Sequence, residues 1–249
     1  MLNRLFLAVL RLRKAIVVAQ LPLAATYIAV DVPRGGEVGK ALFPWSVGIT
    51  LVAGLLAWQA GLRFRPAALV RRGNPPSFEA PTSPVPVLAF TALLPFVTEQ
   101  VSTTVDRVAK QIDPWWLDIL TSALSVLALT VLVRAVWTGF GVRLRPDGLV
   151  DRRPARSLFV PWESFAAITI PPPSSRRAVV TLAYNDPSLV RGAGRKVITA
   201  MNVDSRFLAR AIQEYVNHPE HRSAIGTPAE LQRLNTAAAD QPAGPGRGR

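Results

Sequence analysis

Residues 137–165, WTGFGVRLRPDGLVDRRPARSLFVPWESF, decide the fold. Up to Trp137 the chain is apolar enough to sit in lipid. From Val142 the pattern changes to a period of two: Val142 and Leu144 point to one side and Arg143 and Arg145 to the other, as a half-buried strand requires. Pro146-Asp147-Gly148 is turn chemistry, because Pro presets φ and Gly accepts positive φ. Upstream the chain reads as membrane, and downstream as a small folded domain.

Composition agrees with two solvents for one chain. Hydrophobic residues make up 49% of the 249, the mean hydropathy is +0.25, and yet the net charge is +13. The two coexist because they are segregated, with apolar runs between residues 15 and 138 and arginines crowding the remainder. There is no Cys, which excludes disulfides, thiolate metal sites and Cys nucleophiles. The N-terminus does not read as a signal peptide, since its basic cluster follows the first apolar patch and no small-residue cleavage site closes the next run.

Four spans are expected between residues 15 and 138. Ala15–Val30 is charge-free and short, and its Pro22 is tolerable where neighbouring helices satisfy the freed carbonyl. Ala41–Leu62 is comfortably long. The third run lies between Glu79 and Glu99 and carries Pro95 as a kink; the fourth is Trp116–Trp137, with Asp118 and Arg134 near its ends. Residues 1–14 form a basic segment that either lies in the membrane interface as an amphipathic helix or simply orients the first span. The first linker, residues 31–40, is polar, and the 63–84 segment reads as a basic and then Pro-rich loop.

Charge fixes the expected orientation. The N-terminal segment carries +4, the 31–40 linker 0, the 63–79 loop +3 and the 99–113 loop −1, and the chain beyond residue 142 is strongly positive. That alternation places both termini in the cytoplasm of a multi-pass plasma-membrane protein. The 61–73 segment, GLRFRPAALVRRG, also repeats as GVRLRPDGLVDRR at 141–153. The repeat reads as a duplicated unit, a helix hairpin followed by strands, whose first copy has lost its domain.

Beyond Val142, short β-prone stretches recur at 149–151, 157–160, 166–170, 178–184 and 196–201, separated by turn clusters, which predicts a small antiparallel barrel or sandwich over residues 139–223. A helix closes it. Asp204 or Ser205 caps the start; Phe207, Leu208, Ala211, Ile212, Tyr215 and Val216 form the apolar stripe; Pro219 ends it. In the 224–249 region, Thr227-Pro-Ala-Glu230 is a capping box opening a last short helix, followed by a tail from 237 too poor in large apolar groups to fold.

Val142-Arg-Leu-Arg-Pro-Asp-Gly-Leu-Val150, the Phe159-Val-Pro-Trp-Glu163 step and the His218-Pro-Glu-His-Arg222 to Leu231 tail together resemble bacterial pleckstrin-homology-like (PH-like) domains of membrane proteins, of the actinobacterial type. The resemblance covers residues 141–235. It implies a small C-terminal β-barrel of PH-like type with a closing α-helix on the cytoplasmic side; the four transmembrane helices expected from hydropathy depart from the two spans of the plainest members. It implies little about function, because that fold hosts lipid, peptide and protein binding alike.

Candidate contacts are basic. Arg176, Arg177, Arg191, Arg195 and Lys196 fall in two predicted loops, where they could face anionic headgroups or a partner protein, or simply keep a membrane-adjacent domain soluble. Trp162 is expected to pack against the closing helix. His218, Glu220 and His221 bunch beside a proline at a helix end, a poor metal site, so no metal and no cofactor are expected. No nucleic-acid partner is expected, because membrane topology already accounts for the charge. With no ionisable group near mid-span, the spans read as an anchor, with Gly48 and Gly54 as small-residue contacts on the second helix. The reading is a non-enzymatic membrane protein presenting a binding or scaffold module to a partner protein or the inner leaflet. An anionic-lipid sensor and a small transporter or channel subunit are the alternatives.

Overall fold

A computed structural model describes residues 2–64, 66–153, 157–169, 179–192, 197–199 and 202–239. The chain divides into two compact units, Met1–Arg63 with Ser83–Gly139, and Phe64–Thr82 with Phe140–Arg249.

The first unit is helical: α1 (Leu2–Asp31), α2 (Glu37–Arg63), α3 (Val85–Ala109) and α4 (Trp115–Thr138). All four are long and apolar enough to cross a membrane. The basic N-terminal residues are continuous with the first span, as the opening turns of α1. Pro22, Pro44 and Pro95 lie inside α1, α2 and α3.

Hydrogen bonds give the helix directions. Gln20 pairs with Thr91, Tyr27 with Glu99 and Asp31 with Ser102, so the separation stays at 71 or 72 residues and α1 runs parallel to α3. Between α3 and α4 the order reverses, from Gln100 with Thr121 to Arg107 with Asp118, and these two are antiparallel. The Thr50 hydroxyl on α2 donates to the Ala92 carbonyl at 3.0 Å. Helix α3 therefore bonds to each of the other three and is the most buried of them. It is also the least hydropathic, because an interior membrane helix carries the polar groups that pair with its neighbours. The sequence reading ends this span at Glu99; α3 instead continues to Ala109 and holds Glu99 ten residues inside its end.

The second unit is built on β-strands. Strands β1 (Val70–Gly73) and β2 (Pro76–Glu79) come from the segment between α2 and α3; β3 (Gly141–Arg145), β4 (Gly148–Arg152), β5 (Ser157–Pro161), β6 (Phe165–Thr169), β7 (Val179–Tyr184), β8 (Arg191–Gly192) and β9 (Val197–Thr199) follow α4. They form a six-stranded sheet in the order β1-β2-β3-β4-β5-β8 and a three-stranded sheet in the order β6-β7-β9, and every pairing is antiparallel. The expected closed barrel is not formed: among the described residues β5 and β6 are joined by a 3-10 turn, Trp162–Ser164, and belong to separate sheets.

Both sheets share one core. Val142, Leu144, Leu149, Leu158 and Val160 from the larger sheet meet Phe165, Val180, Leu182 and Ile198 from the smaller. Helix α5 (Ser205–Asn217) closes it with Phe207, Leu208, Ala211, Ile212 and Tyr215, all buried. Its start is capped as the sequence predicts, the Asp204 carboxylate accepting from the Arg206 and Phe207 amides at 3.0 and 2.9 Å. Trp162, 1% exposed, lies against Tyr215 and Phe165 with ring centroids 5.7 and 5.8 Å away.

The segment that reads as a Pro-rich loop is the main departure. It supplies β1 and β2, and Leu69 and Phe78 enter the common core. The first copy of the repeat has not lost its domain; it is part of the same sheet. In the 80-residue register β1 and β2 overlie the end of β4 and the start of β5, and both are antiparallel pairs. Gly61–Arg63, by contrast, ends α2 where Gly141–Arg143 begins β3. Prolines misled the composition argument because they sit at the hairpin bend and at the strand start, where no ladder donor is needed.

Candidate functional site

Of the five basic residues picked from the sequence, Arg191 is exposed on β8, opposite Phe159 of β5. Arg176, Arg177, Arg195 and Lys196 lie outside the described residues.

The surface that the structure assembles is at the other edge of the large sheet. Strand β1 ends the sheet order, and all four of its residues are exposed. Beside it an open groove of about 700 Å³ is lined by Arg71 of β1 and by Pro228, Leu231, Gln232, Asn235 and Thr236 of α6 (Pro228–Ala239). Helix α6 stands there for three local reasons. Ile225 and Leu234 are buried in the common core. Gly226, at φ +95°, lets the chain turn directly over Pro76 and Ser77 at the start of β2. Finally, α6 is tied to α5 by a charged network.

That network centres on Glu230, which is 5% exposed. It accepts from the Tyr215 hydroxyl at 3.0 Å and from Arg233 Nε and Nη2 at 2.8 Å each. Arg233 Nη1 also reaches Glu214 at 2.8 Å, and Glu214 faces His221 Nδ1 at 3.0 Å. The capping box is thus half realised: the Glu230 amide bonds to Thr227 Oγ1 at 3.3 Å, while the Glu230 carboxylate turns to Tyr215 and Arg233. Burial raises the Glu230 and Glu214 carboxyls, but the hydrogen bonds from Arg233 and its charge outweigh burial and leave both below the ordinary carboxylate range. Burial first, and the facing Glu230 second, push the Tyr215 hydroxyl well above its ordinary value.

A second lock lies alongside. Arg222 donates to the carbonyls of Tyr215 and Val216 at 2.7 and 3.4 Å, satisfying the end of α5, and its guanidinium stands 5.9 Å from the Trp162 ring centroid. Trp162 Nε1 donates to the Arg145 carbonyl at 2.9 Å. His218 and His221 stack at 5.3 Å beside this lock.

The helical unit holds a polar cluster that the sequence reading missed. Asp31 is 1% exposed and accepts from the Gly39 amide at 2.8 Å and from the Ser102 hydroxyl at 2.5 Å. The Tyr27 hydroxyl donates to Glu99. Gly39 sits between them, and a Cβ there would lie 2.6 Å from the Tyr27 hydroxyl oxygen and 2.8 Å from a Glu99 oxygen. Three helices thus meet on hydrogen bonds, and the two carboxylates have only neutral donors among the described residues. Spacing could have revealed it: Gln20, Tyr27 and Asp31 step by seven and four and Thr91, Glu99 and Ser102 by eight and three, each set on one helix face, a polar seam through otherwise apolar helices.

Comparison of the chain with protein-family models, with curated proteins and with solved structures finds no match.

Proposed function

We propose that this is a non-enzymatic integral membrane protein of the plasma membrane, with both termini cytoplasmic, that presents its sheet unit as a binding or scaffold module to a partner protein or the inner leaflet. The observation that carries the reading is the free edge of β1 beside the α6 groove, a preformed surface on a well-packed core. The PH-like reading of this unit is supported by its two antiparallel sheets sharing one core under a C-terminal helix.

Connectivity supports the topology. The chain passes from α2 into β1, from β2 into α3 and from α4 into β3. Those three helix ends share a side when four spans alternate, and the positive flanks assign that side to the cytoplasm. Because the chain has no Cys, single cysteines report it cleanly. An impermeant maleimide on intact cells should label Lys110→Cys and spare Ser188→Cys until the membrane is opened; the reverse pattern would sink the topology. For the function, a photo-cross-linking residue at Ser188 or Gln232 should give discrete adducts in cells, and adducts from neither position would remove the scaffold reading.

A subunit of a transporter or channel is the second reading. Asp31 and Glu99 favour it, because carboxylates within a helical membrane bundle commonly mark ion or proton paths. Ion flux into proteoliposomes no faster than into empty vesicles removes it.

A further inference from the structure

We infer that the open edge of β1 and the groove beside α6 accept an extended acidic peptide of a partner protein, added to the sheet as a seventh strand. This rests on the scaffold reading above and names the class of partner.

Among the described residues, the backbone groups on the outer side of β1 have no strand neighbour. Such an edge is a template for strand addition, and proteins guard it with short length and charge. Strand β1 has both guards: it is four residues long and carries Arg71 and Arg72. The guard is selective, however. Arg72 is already paired with Glu79 at 2.9 Å, a carboxylate that it shares with Arg143 at 2.7 Å. Arg71 is exposed on the groove and has no carboxylate partner among the described residues. A neutral or basic strand leaves that guanidinium uncompensated, whereas an acidic one supplies its counter-charge.

The groove fits the rest of such a strand. Side chains on an added strand face α6 at every second position. One finds Arg71, and the next finds the apolar patch of Pro228 and Leu231, with Gln232, Asn235 and Thr236 at hand for polar groups. The wall is fixed before binding, since Glu230, Arg233 and Tyr215 hold α6 to α5 and Gly226 holds it to Pro76. A preformed wall lowers the ordering cost of association. A second copy of the chain is a poorer occupant, because pairing β1 with β1 brings like charges together across the new interface.

The test uses the full-length protein in detergent micelles and fluorescence anisotropy of a labelled octapeptide, Thr-Val-Thr-Glu-Thr-Val-Thr-Glu. The expected result is saturable binding that weakens at least tenfold with Arg71→Glu, with Thr236→Trp, which fills the groove, and with a peptide N-methylated at alternate residues. Arg191→Glu, at the opposite edge of the sheet, should leave binding unchanged. The inference is overturned by absence of saturable binding, by equal binding of a peptide with Lys for Glu, or by equal binding of the N-methylated peptide. It is equally overturned if anionic vesicles, rather than peptide, show the Arg71 dependence, or if Arg71→Glu dissolves a homodimer. Cross-linking separates this inference from the broader reading: adducts from Ser188 without any from Gln232 remove the acidic peptide and leave the scaffold standing.

Discussion

Gly226 is seated on Pro76: a Cβ on the glycine would lie 2.7 Å from the proline Cβ and 2.9 Å from the Ser77 amide nitrogen. The entry to α6 is thereby fitted against a hairpin that precedes it by 150 residues. With φ at +95°, any side chain at this position meets strain as well as a clash. Gly226→Ala should cost about 1–3 kcal/mol of sheet-unit stability and release α6 first. Limited proteolysis, with cleavage in α6 preceding cleavage in α5, checks the order.

The charged network sets a pH window for α6. The Glu214 and Glu230 carboxyls are held below their unfolded values, so in the acid range the unfolded chain binds more protons and stability rises with pH. Their contribution is complete above about pH 4.5 and is lost as pH falls through the lower folded values. Tyrosine sets the alkaline limit with the opposite sign. Burial holds Tyr184 up to about 12, and Tyr215 is raised further; their contribution is complete below about pH 10 and declines above it. Protection factors of α6 amides, corrected for the intrinsic pH dependence of exchange, should be flat between these limits and fall outside them.

Tyr184 offers a stabilising change. Its hydroxyl is buried without a partner among the described residues. Tyr184→Phe keeps the ring against Phe165, 6.1 Å between centroids, and removes an unsatisfied polar group. The expected outcome is a gain of up to about 1 kcal/mol in denaturant unfolding.

Trp162 should respond to two substitutions differently. Trp162→Phe keeps much of the ring but strands the Arg145 carbonyl that Nε1 satisfies, costing about 1–3 kcal/mol. Trp162→Ala opens a cavity under Tyr215 and Phe165, costing about 3–5 kcal/mol. Denaturant midpoints of the two variants should fall in that order.

In the helical unit, Gly39→Leu forces a side chain into the space of Tyr27 and Glu99, where three helices meet. It should lower the thermal midpoint in detergent, at a cost of about 1–3 kcal/mol by overpacking. Gly48 lies inside α2 with nothing within 4 Å of a built Cβ, so Gly48→Ala should not lower the midpoint. That result also tests whether Gly48 is a helix contact in an oligomer.

Periodicity made much of this fold readable. Val142 and Leu144 alternate with Arg143 and Arg145, and the first pair is buried while the second is only half-buried. The α5 stripe and its Asp204 cap are local patterns with a local cause. What failed was long-range. Nothing local in Phe78 says that it enters a core made mostly of residues after 140, because composition scores its Pro-rich neighbours and not its partners. By sequence alone Asp31 reads as a linker residue and Glu99 as a span end, because neither charge carries a local sign of its partners. The hydrogen bonds to Gly39, Ser102 and Tyr27 that hold them inside the bundle depend on three helices at once. Of the candidate site, only helix α6 is legible in the sequence, through its capping box; Arg191 lies at the opposite edge of the sheet, and the juxtaposition of β1 with α6 is created only by the sheet order.

The hairpin lodged between α2 and α3 has a consequence for how this protein can be divided. A fragment beginning at Phe140 looks like a complete domain by chain order, yet it lacks two of the six strands of the main sheet and two core side chains, Leu69 and Phe78. Such a fragment bares β3 as a new edge and should aggregate or remain unfolded. The module is inseparable by proteolysis at a single site or by recombination at a single junction. During synthesis its first two strands must wait, with α3 and α4 made in the interval, for the strands that complete them.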